Sequence, residues 1–274
     1  MISLRVENLH FAYDGVPALS GISLDIAPGE FVAIVGQNGS GKTTLVKHFN
    51  GLLKPTQGRV WVDGRDTAPL TVAALARQVG YVFQNPDHQI SQNTVRAEVA
   101  FGLRNLGFAE PEVERRTVET LAAFGLASNA DRPPAILGAG LRRKVALAGV
   151  CCVRPPVLIL DEPTLGLEAR AAEDVLQLAA GLHREGHTVL LISHDMRRVA
   201  AYARRCVLLK EGRVLRDAPV RAVFADAALL AQANLAPPPV TRLAQVLDWG
   251  TPLTPEELYL AYTRHAAQAP KASP

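Results

Sequence analysis

The run Gly36-Gln37-Asn38-Gly39-Ser40-Gly41-Lys42-Thr43 restricts this chain more than any other part of it. The continuous apolar stretch Phe31 to Val35 precedes it, the pattern of a strand buried on both faces. A helical stretch, Thr43 to Phe49, comes after it. Glycines at this spacing let the backbone curl so that successive N–H groups point inward at phosphate oxygens. Lys42 is then placed to reach β- and γ-phosphates, and the Thr43 hydroxyl to ligate Mg²⁺. The loop predicts a bound nucleoside triphosphate, contacted by Gly36, Asn38, Gly39, Ser40, Gly41, Lys42, Thr43 and Thr44.

A second apolar run, Val157 to Leu160, closes on Asp161-Glu162-Pro163. Asp161 is expected to hold the Mg²⁺ shell, and Glu162 to polarise a water in line with the γ-phosphate. A helix from about Ala169 to Arg184, a strand from Thr188 to Ile192 and a further helix come next. Strands alternating with helices imply a parallel sheet with crossover helices. Near the start, Ile2, Leu4 and Val6 alternate, as do Ile22, Leu24 and Ile26, and Gly58 to Gly64 reads as a short strand ending in an Asp-Gly turn. From about Thr94 to Ala127 the apolar period lengthens to helical, with Glu110-Pro111-Glu112 at a helix start. The expected fold is α/β, a phosphate-loop core with an antiparallel β subdomain and a helical subdomain at about residues 90–150. Beyond Val223 the character changes. Asn234 to Val240, with Pro237-Pro238-Pro239, reads as a linker. Thr254-Pro255-Glu256-Glu257 starts a small final helix to about His265, with Ala266 to Pro274 frayed.

Taken in order, these marks resemble the ABC-type ATPases over about residues 1–220. They are Tyr13, the phosphate loop, Gln84 after Gly80-Tyr81-Val82-Phe83, Asp161-Glu162-Pro163-Thr164, and His194 after Leu190-Leu191-Ile192-Ser193. The resemblance implies ATP and Mg²⁺ as ligands. By it Tyr13 would stack on adenine, and His194 would contact the γ-phosphate and orient the water. Gln84 would sense Mg²⁺ and the attacking water while coupling to a transmembrane partner. A narrower resemblance rests on Phe83-Gln84-Asn85-Pro86-Asp87-His88-Gln89-Ile90, Thr94-Val95 and Glu98-Val99-Ala100-Phe101-Gly102. It is to the ATPase subunits of energy-coupling-factor importers, the vitamin and cobalt or nickel uptake group. Pro238 to Ala244 and the final helix are similar to that group's C-terminal extension, which puts an ATPase domain at 1–220 and the extension at 221–274. The implied protein is an ATP-hydrolysing subunit, peripheral on the cytoplasmic face of the cell membrane. Its partners would be a second ATPase subunit, a transmembrane coupling protein and a substrate-binding membrane protein, with Asn85 to Phe101 as the docking neighbourhood.

Two segments depart from the family pattern. The signature Leu-Ser-Gly-Gly-Gln is here Leu137-Gly138-Ala139-Gly140-Leu141, without the serine hydroxyl or the glutamine amide. In ABC dimers this segment completes the partner's nucleotide site, and losing one such hydrogen bond costs on the order of 2–4 kcal/mol in the transition state. Leu165-Gly166-Leu167-Glu168 ends in Glu where family members usually have Asp. Both changes affect what the chain offers its neighbour, while its own Lys42, Thr43, Asp161, Glu162 and His194 are complete. That asymmetry favours a heterodimer over a homodimer. The competing reading is a regulatory or assembly clamp that binds nucleotide and hydrolyses it weakly.

Composition limits the other classes. The 29 basic and 26 acidic residues leave +3, too little to suggest a nucleic-acid partner. Arg197-Arg198 and Arg204-Arg205, read at helical spacing, suggest a solvated face without interleaved aromatics. The longest apolar stretch, Val145 to Val153, falls short of the roughly 18 residues that span a bilayer. Three cysteines give no disulfide framework, and Cys151 and Cys152 are expected as small core residues. His183 and His187 share no ligand spacing with a carboxylate or thiol and are expected to be structural.

Overall fold

The computed structural model describes residues 2–268. Its first layer is a four-stranded antiparallel sheet, ordered β2-β1-β4-β5, made by β1 (Leu4–Tyr13), β2 (Val16–Ile26), β4 (Gln57–Val62) and β5 (Arg65–Asp66). Between β2 and β4 the chain leaves that sheet to form β3 (Phe31–Val35) and α1 (Lys42–Phe49). Leu4, Val6, Ile22, Leu24 and Ile26 are buried, so the two-residue alternation marks the inner face.

The second layer is a six-stranded sheet ordered β10-β9-β3-β8-β7-β6. It contains β6 (Val79–Val82), β7 (Val157–Asp161), β8 (Thr188–Ile192), β9 (Arg205–Lys210) and β10 (Arg213–Pro219), parallel except for the β9–β10 pair. Every residue of β3, β7 and β8 is buried, because both faces are covered. The register sets Ile34 beside Ile192 and Asp161 beside Ile192. The carboxyl ends of β3, β7 and β8 are therefore level, and the loops that leave them emerge at one edge. In open parallel sheets that edge is where ligands bind.

After α2 (Val72–Ala76) and β6, the helical subdomain comprises α3 (Val95–Asn105), α4 (Glu110–Ala123) and α5 (Ala139–Cys152). The helical stretch read from Thr94 to Ala127 is thus divided at Leu106-Gly107-Phe108, where Gly107 adopts φ 73°. Next come α6 (Ala169–Arg184) and α7 (Met196–Tyr202). Arg205 opens β9 rather than continuing a helical face, and it pairs with Glu30 and Asp217 at 2.8 and 2.6 Å. The dipeptide Arg204-Arg205 is therefore not part of a helical basic face. Arg205 instead anchors the sheet edge.

The extension consists of α8 (Val220–Ala225), α9 (Ala227–Gln232), α10 (Pro239–Val246) and α11 (Pro255–Gln268). The expected linker is shortened, because Pro239 opens α10 in a position where its missing N–H is not needed. The final helix continues past His265 to Gln268, so the expected fraying begins no earlier than residue 269, and 269–274 lie outside the described residues. Val220, Val223, Phe224, Leu230 and Ala233 join the core cluster of the large sheet and helical subdomain. Glu257 accepts the Leu253 N–H and pairs with Arg221 on α8 at 2.8 Å, tying the last helix to the first of the extension.

Burial raises the thiol pKa at Cys151, Cys152 and Cys206, the last to about 12, consistent with small core residues. His48 on α1 is fully buried; its Nδ1 lies 2.8 Å from the Thr44 carbonyl, and Nε2 has no partner among the described residues. Burial holds its pKa below the ordinary 6.5. The folded chain keeps the ring neutral where the unfolded chain protonates it. The unfolded state then binds more protons, so this contribution is complete above pH 6.5 and is lost as pH falls towards the native value. The slope reaches about 1.4 kcal/mol per pH unit. Urea midpoints measured from about pH 7.5 down to about pH 5.5 should fall, and His48→Gln should flatten that fall. An unchanged slope in the variant would assign the effect elsewhere.

Candidate nucleotide site

The phosphate loop leaves the end of β3 and closes on α1. Gly36 has φ 153°, and a Cβ there would lie 2.3 Å from the Leu209 carbonyl oxygen and 2.5 Å from Ser40 Oγ. Gly41 caps α1 at φ 98°, where a Cβ would meet the Leu19 side chain at 2.7 Å. Only glycine fits either place. Asn38 and Gly39 are exposed at the loop tip, and Ser40 is buried with an Oγ unpartnered among the described residues. The first N–H groups of α1, at Lys42, Thr43 and Thr44, point out of the helix and make an anion-binding end. Lys42 is buried and its Nζ donates to the Gly36 and Gln37 carbonyls at 2.7 and 2.8 Å. Burial lowers its pKa, while Glu162 and Asp161 favour its charge. The ammonium thus sits at the mouth of the loop between a helix end and two carboxylates.

Asp161 at the end of β7 lies beside α1. Thr43 Oγ1 donates to its two oxygens at 2.9 and 3.2 Å. Tyr81 on β6 donates its phenol to Asp161 Oδ2 at 2.6 Å. These residues fit a Mg²⁺ that arrives with a triphosphate. Thr43 and Asp161 offer hard oxygens, and among the described residues no cluster of three or more His, Cys, Asp or Glu could cage a metal alone. Thr43 and Asp161 would hold it, and a Mg²⁺ bound there would supply positive charge against the negative charge of the phosphates. Tyr81 fixes the carboxylate that faces it; burial, reinforced by Asp161, pushes the phenol pKa up and keeps it a donor. Along the chain Tyr81 stands out only as a flank of Gln84, because a tyrosine in an apolar strand looks like packing. Tyr81→Phe should raise the Mg²⁺ concentration for half-maximal ATP hydrolysis about tenfold, with ATP affinity in the absence of Mg²⁺ unchanged. Equal loss in both measurements would point to damaged packing instead.

Glu162 holds φ 46°, a left-handed conformation uncommon for a non-glycine residue, and its N–H donates to the Ile192 carbonyl at 3.0 Å. Only 9% of its side chain is exposed, and Oε1 lies 2.9 Å from Nδ1 of the half-exposed His194. The strand register supplies this pairing, since Ser193-His194 leave β8 beside the end of β7. Tyr13 ends β1 with its ring 45% exposed, edge-on to Phe11 at 4.8 Å, and its hydroxyl 3.5 Å from Thr44 Oγ1. It stands next to the loop, partly open to solvent. Gln84 comes after β6, beside the end of β7. Its side chain is exposed and makes no hydrogen bond to Thr43, Asp161 or Glu162 among the described residues. His183 and His187 turn Nδ1 towards the carbonyls of His187 and Pro155, at 3.4 and 2.7 Å.

Gly138 caps α5 without a side-chain hydrogen bond. A Cβ added there would meet nothing within 4 Å. The start of α5 and the segment Gly166-Leu167-Glu168 face each other across a groove of 430 Å³. A second groove, of 550 Å³, runs between the large sheet and the helical subdomain, lined by Leu52, Val72, Phe83, Glu98, Phe101 and Val153.

A phosphate loop, a strand-end Asp-Glu pair and a His, level on adjacent parallel strands, define a phosphate-loop ATPase. The ABC transporter family model matches residues 19–165. The energy-coupling factor transporter ATP-binding protein EcfA2 of Acetivibrio thermocellus is 41% identical over 253 residues, 90% of each chain. A putative ABC transporter ATP-binding protein of Caldanaerobacter subterraneus is 42% identical over 247 residues, 90% of this chain but 43% of that protein, so the chain spans less than half of that relative. Among solved structures, cbiO1 from Clostridium perfringens, part of the ABC transporter complex cbiONQ, superposes with a TM-score of 0.76 at 36% identity, covering 89% of this chain and 98% of that one. The chain belongs to the ABC transporter ATPases, in their energy-coupling factor branch.

Proposed function

We propose that this chain powers an energy-coupling factor importer for a vitamin or a transition-metal ion, as one half of an asymmetric ATPase heterodimer. One observation carries the reading. Lys42, Thr43, Asp161, Glu162 and His194 form a complete hydrolytic set, whereas the exposed start of α5 offers backbone N–H groups but no serine hydroxyl. A partner with an intact signature completes the site on this chain's phosphate loop. Two copies of this chain would form two weakened sites.

Glu162 takes a proton from the attacking water, and His194 orients the water and the γ-phosphate. Lys42 and the α1 amides hold the charge that moves onto the leaving ADP as the bond to the γ-phosphorus breaks. Tyr13 stacks on adenine, and Gln84 reports the state of the Mg²⁺ and the water to a membrane partner. No described helix is long and apolar enough to cross a membrane. Docking on a transmembrane partner places the chain at the membrane. The groove with Phe83 and Phe101 on its wall overlaps the expected docking neighbourhood and suits a short amphipathic helix of the transmembrane coupling protein. A separate membrane protein selects the substrate.

Pull-down of the tagged chain from native membranes should recover a second ATPase and two membrane proteins; recovery of the chain alone would sink the reading. The purified chain should hydrolyse ATP more slowly than the paired complex. Because Gly138 has open space around it, Gly138→Ser with Leu141→Gln should raise turnover of the chain alone by about tenfold or more. Equal rates for the chain and the pair would refute the asymmetry. The bare start of α5 also suits the clamp reading, under which Glu162→Gln would leave the cellular function intact.

A further inference from the structure

Arg143 lies inside α5 and is 3% exposed. No carboxylate pairs with it among the described residues. Its Nη1 donates instead to the Phe83 and Gln84 carbonyls, at 2.9 and 2.6 Å. Burial disfavours the guanidinium charge, and the field of Asp161 and Asp87 favours it. Arginine stays charged in proteins, so the two carbonyl bonds and the nearby carboxylates together offset its burial. Two neighbours fasten the same segment. Gln89 accepts the Phe83 N–H at 3.1 Å and donates to the Ala146 carbonyl at 2.8 Å. Arg142 stands 3.4 Å from the Asp87 carboxylate. Residues 83–89 are thus stitched to α5 at positions 142, 143 and 146.

We propose that Arg143 is a positioning residue that ties the Gln84 backbone to α5, so that the Gln84 segment and the exposed start of α5 move as one body. Without the Arg143 bonds, only Gln89 and Arg142 would link the segment to α5, and its Gln84 end could shift without moving the helix. With them, displacement of the loop by a docked partner carries the Gly138-Ala139-Gly140 end along, and closure of that end on a neighbour's nucleotide drags Gln84. Several bonds to one buried group make such a link stiff. Its mechanical part stands on the hydrogen bonds alone; its kinetic consequence rests on the proposed role of Gln84.

Hydrogen exchange of the full chain tests the tie. The amides of Asp87, His88, Gln89 and Ile90 are bonded within their own turn and report its opening. In Arg143→Met they should exchange about tenfold or more faster, with the helices α3 and α4 unchanged, and Arg143→Lys should restore much of the protection. Unchanged exchange at these four amides overturns the proposal. Equal acceleration throughout α3, α4 and α5 overturns it as well, since Arg143 would then only hold the subdomain together. Should Arg143→Met fail to fold, Arg143→Gln, which keeps a polar group in the helix but is too short to reach both carbonyls, should give the same local pattern. The kinetic arm is the Mg²⁺ concentration for half-maximal ATP hydrolysis, expected to rise severalfold while ATP affinity without Mg²⁺ holds. If exchange responds and this value does not, the tie stands and the reading of Gln84 fails.

Discussion

Glu162→Gln should lower the rate of ATP hydrolysis by about 10²- to 10⁴-fold, the range for removing a general base, while ATP still binds with near-normal affinity. The substitution keeps the shape of the side chain and an oxygen for the His194 contact at 2.9 Å, but it removes the carboxylate proposed to accept the water's proton. Nothing in the phosphate loop changes, because Glu162 makes no hydrogen bond to residues 36–44 among the described residues. The residue already carries backbone strain at φ 46°, held by its N–H bond to Ile192, and an isosteric amide leaves that turn in place. Single-turnover hydrolysis and equilibrium nucleotide binding, measured on the same sample, separate the two effects. A fall in both together would mean that Glu162 holds the site's shape rather than its chemistry.

Lys42→Met should have the complementary effect, weakening ATP binding by roughly 10- to 100-fold, in line with about 1.5–3 kcal/mol for hydrogen bonds to a charged group. Its ammonium is the positive charge placed at the mouth of the loop, with Asp161 and Glu162 acting on it from the strand ends. Methionine fills a similar volume but leaves those carboxylates facing a polyanion without it. Losing the Lys42 bonds to the Gly36 and Gln37 carbonyls should lower the urea midpoint modestly, but Gly36 and Gly41 still permit the loop's turns, so circular dichroism should be unchanged while a nucleotide titration shifts. Retention of normal affinity would show that the α1 amides alone hold the phosphates.

The candidate site was legible in the chain wherever its residues are neighbours in sequence. The phosphate loop is a contiguous run whose glycines have no substitute, and Asp161-Glu162 is marked by an acid pair ending an apolar strand. Parallel strands and crossover helices could be read from the period of the apolar residues. Where reading along the chain failed, the structure turned on something other than periodicity. Arg205 belongs to a strand because its partners, Glu30 and Asp217, lie elsewhere in sequence. Pro239 reads as a linker residue until the chain is seen to begin a helix there.

By itself the sequence determined the phosphate loop, the acid pair that ends β7, and that the segment Gly138-Ala139-Gly140 has no serine hydroxyl. These are properties of residue types at fixed short spacings. Only the tertiary structure decided that Tyr81 holds Asp161 and that Arg143 holds Phe83 and Gln84. In each case the partners are remote in the chain. Strand register and helix packing bring them together, and desolvation then makes these hydrogen bonds worth more than they would be in water.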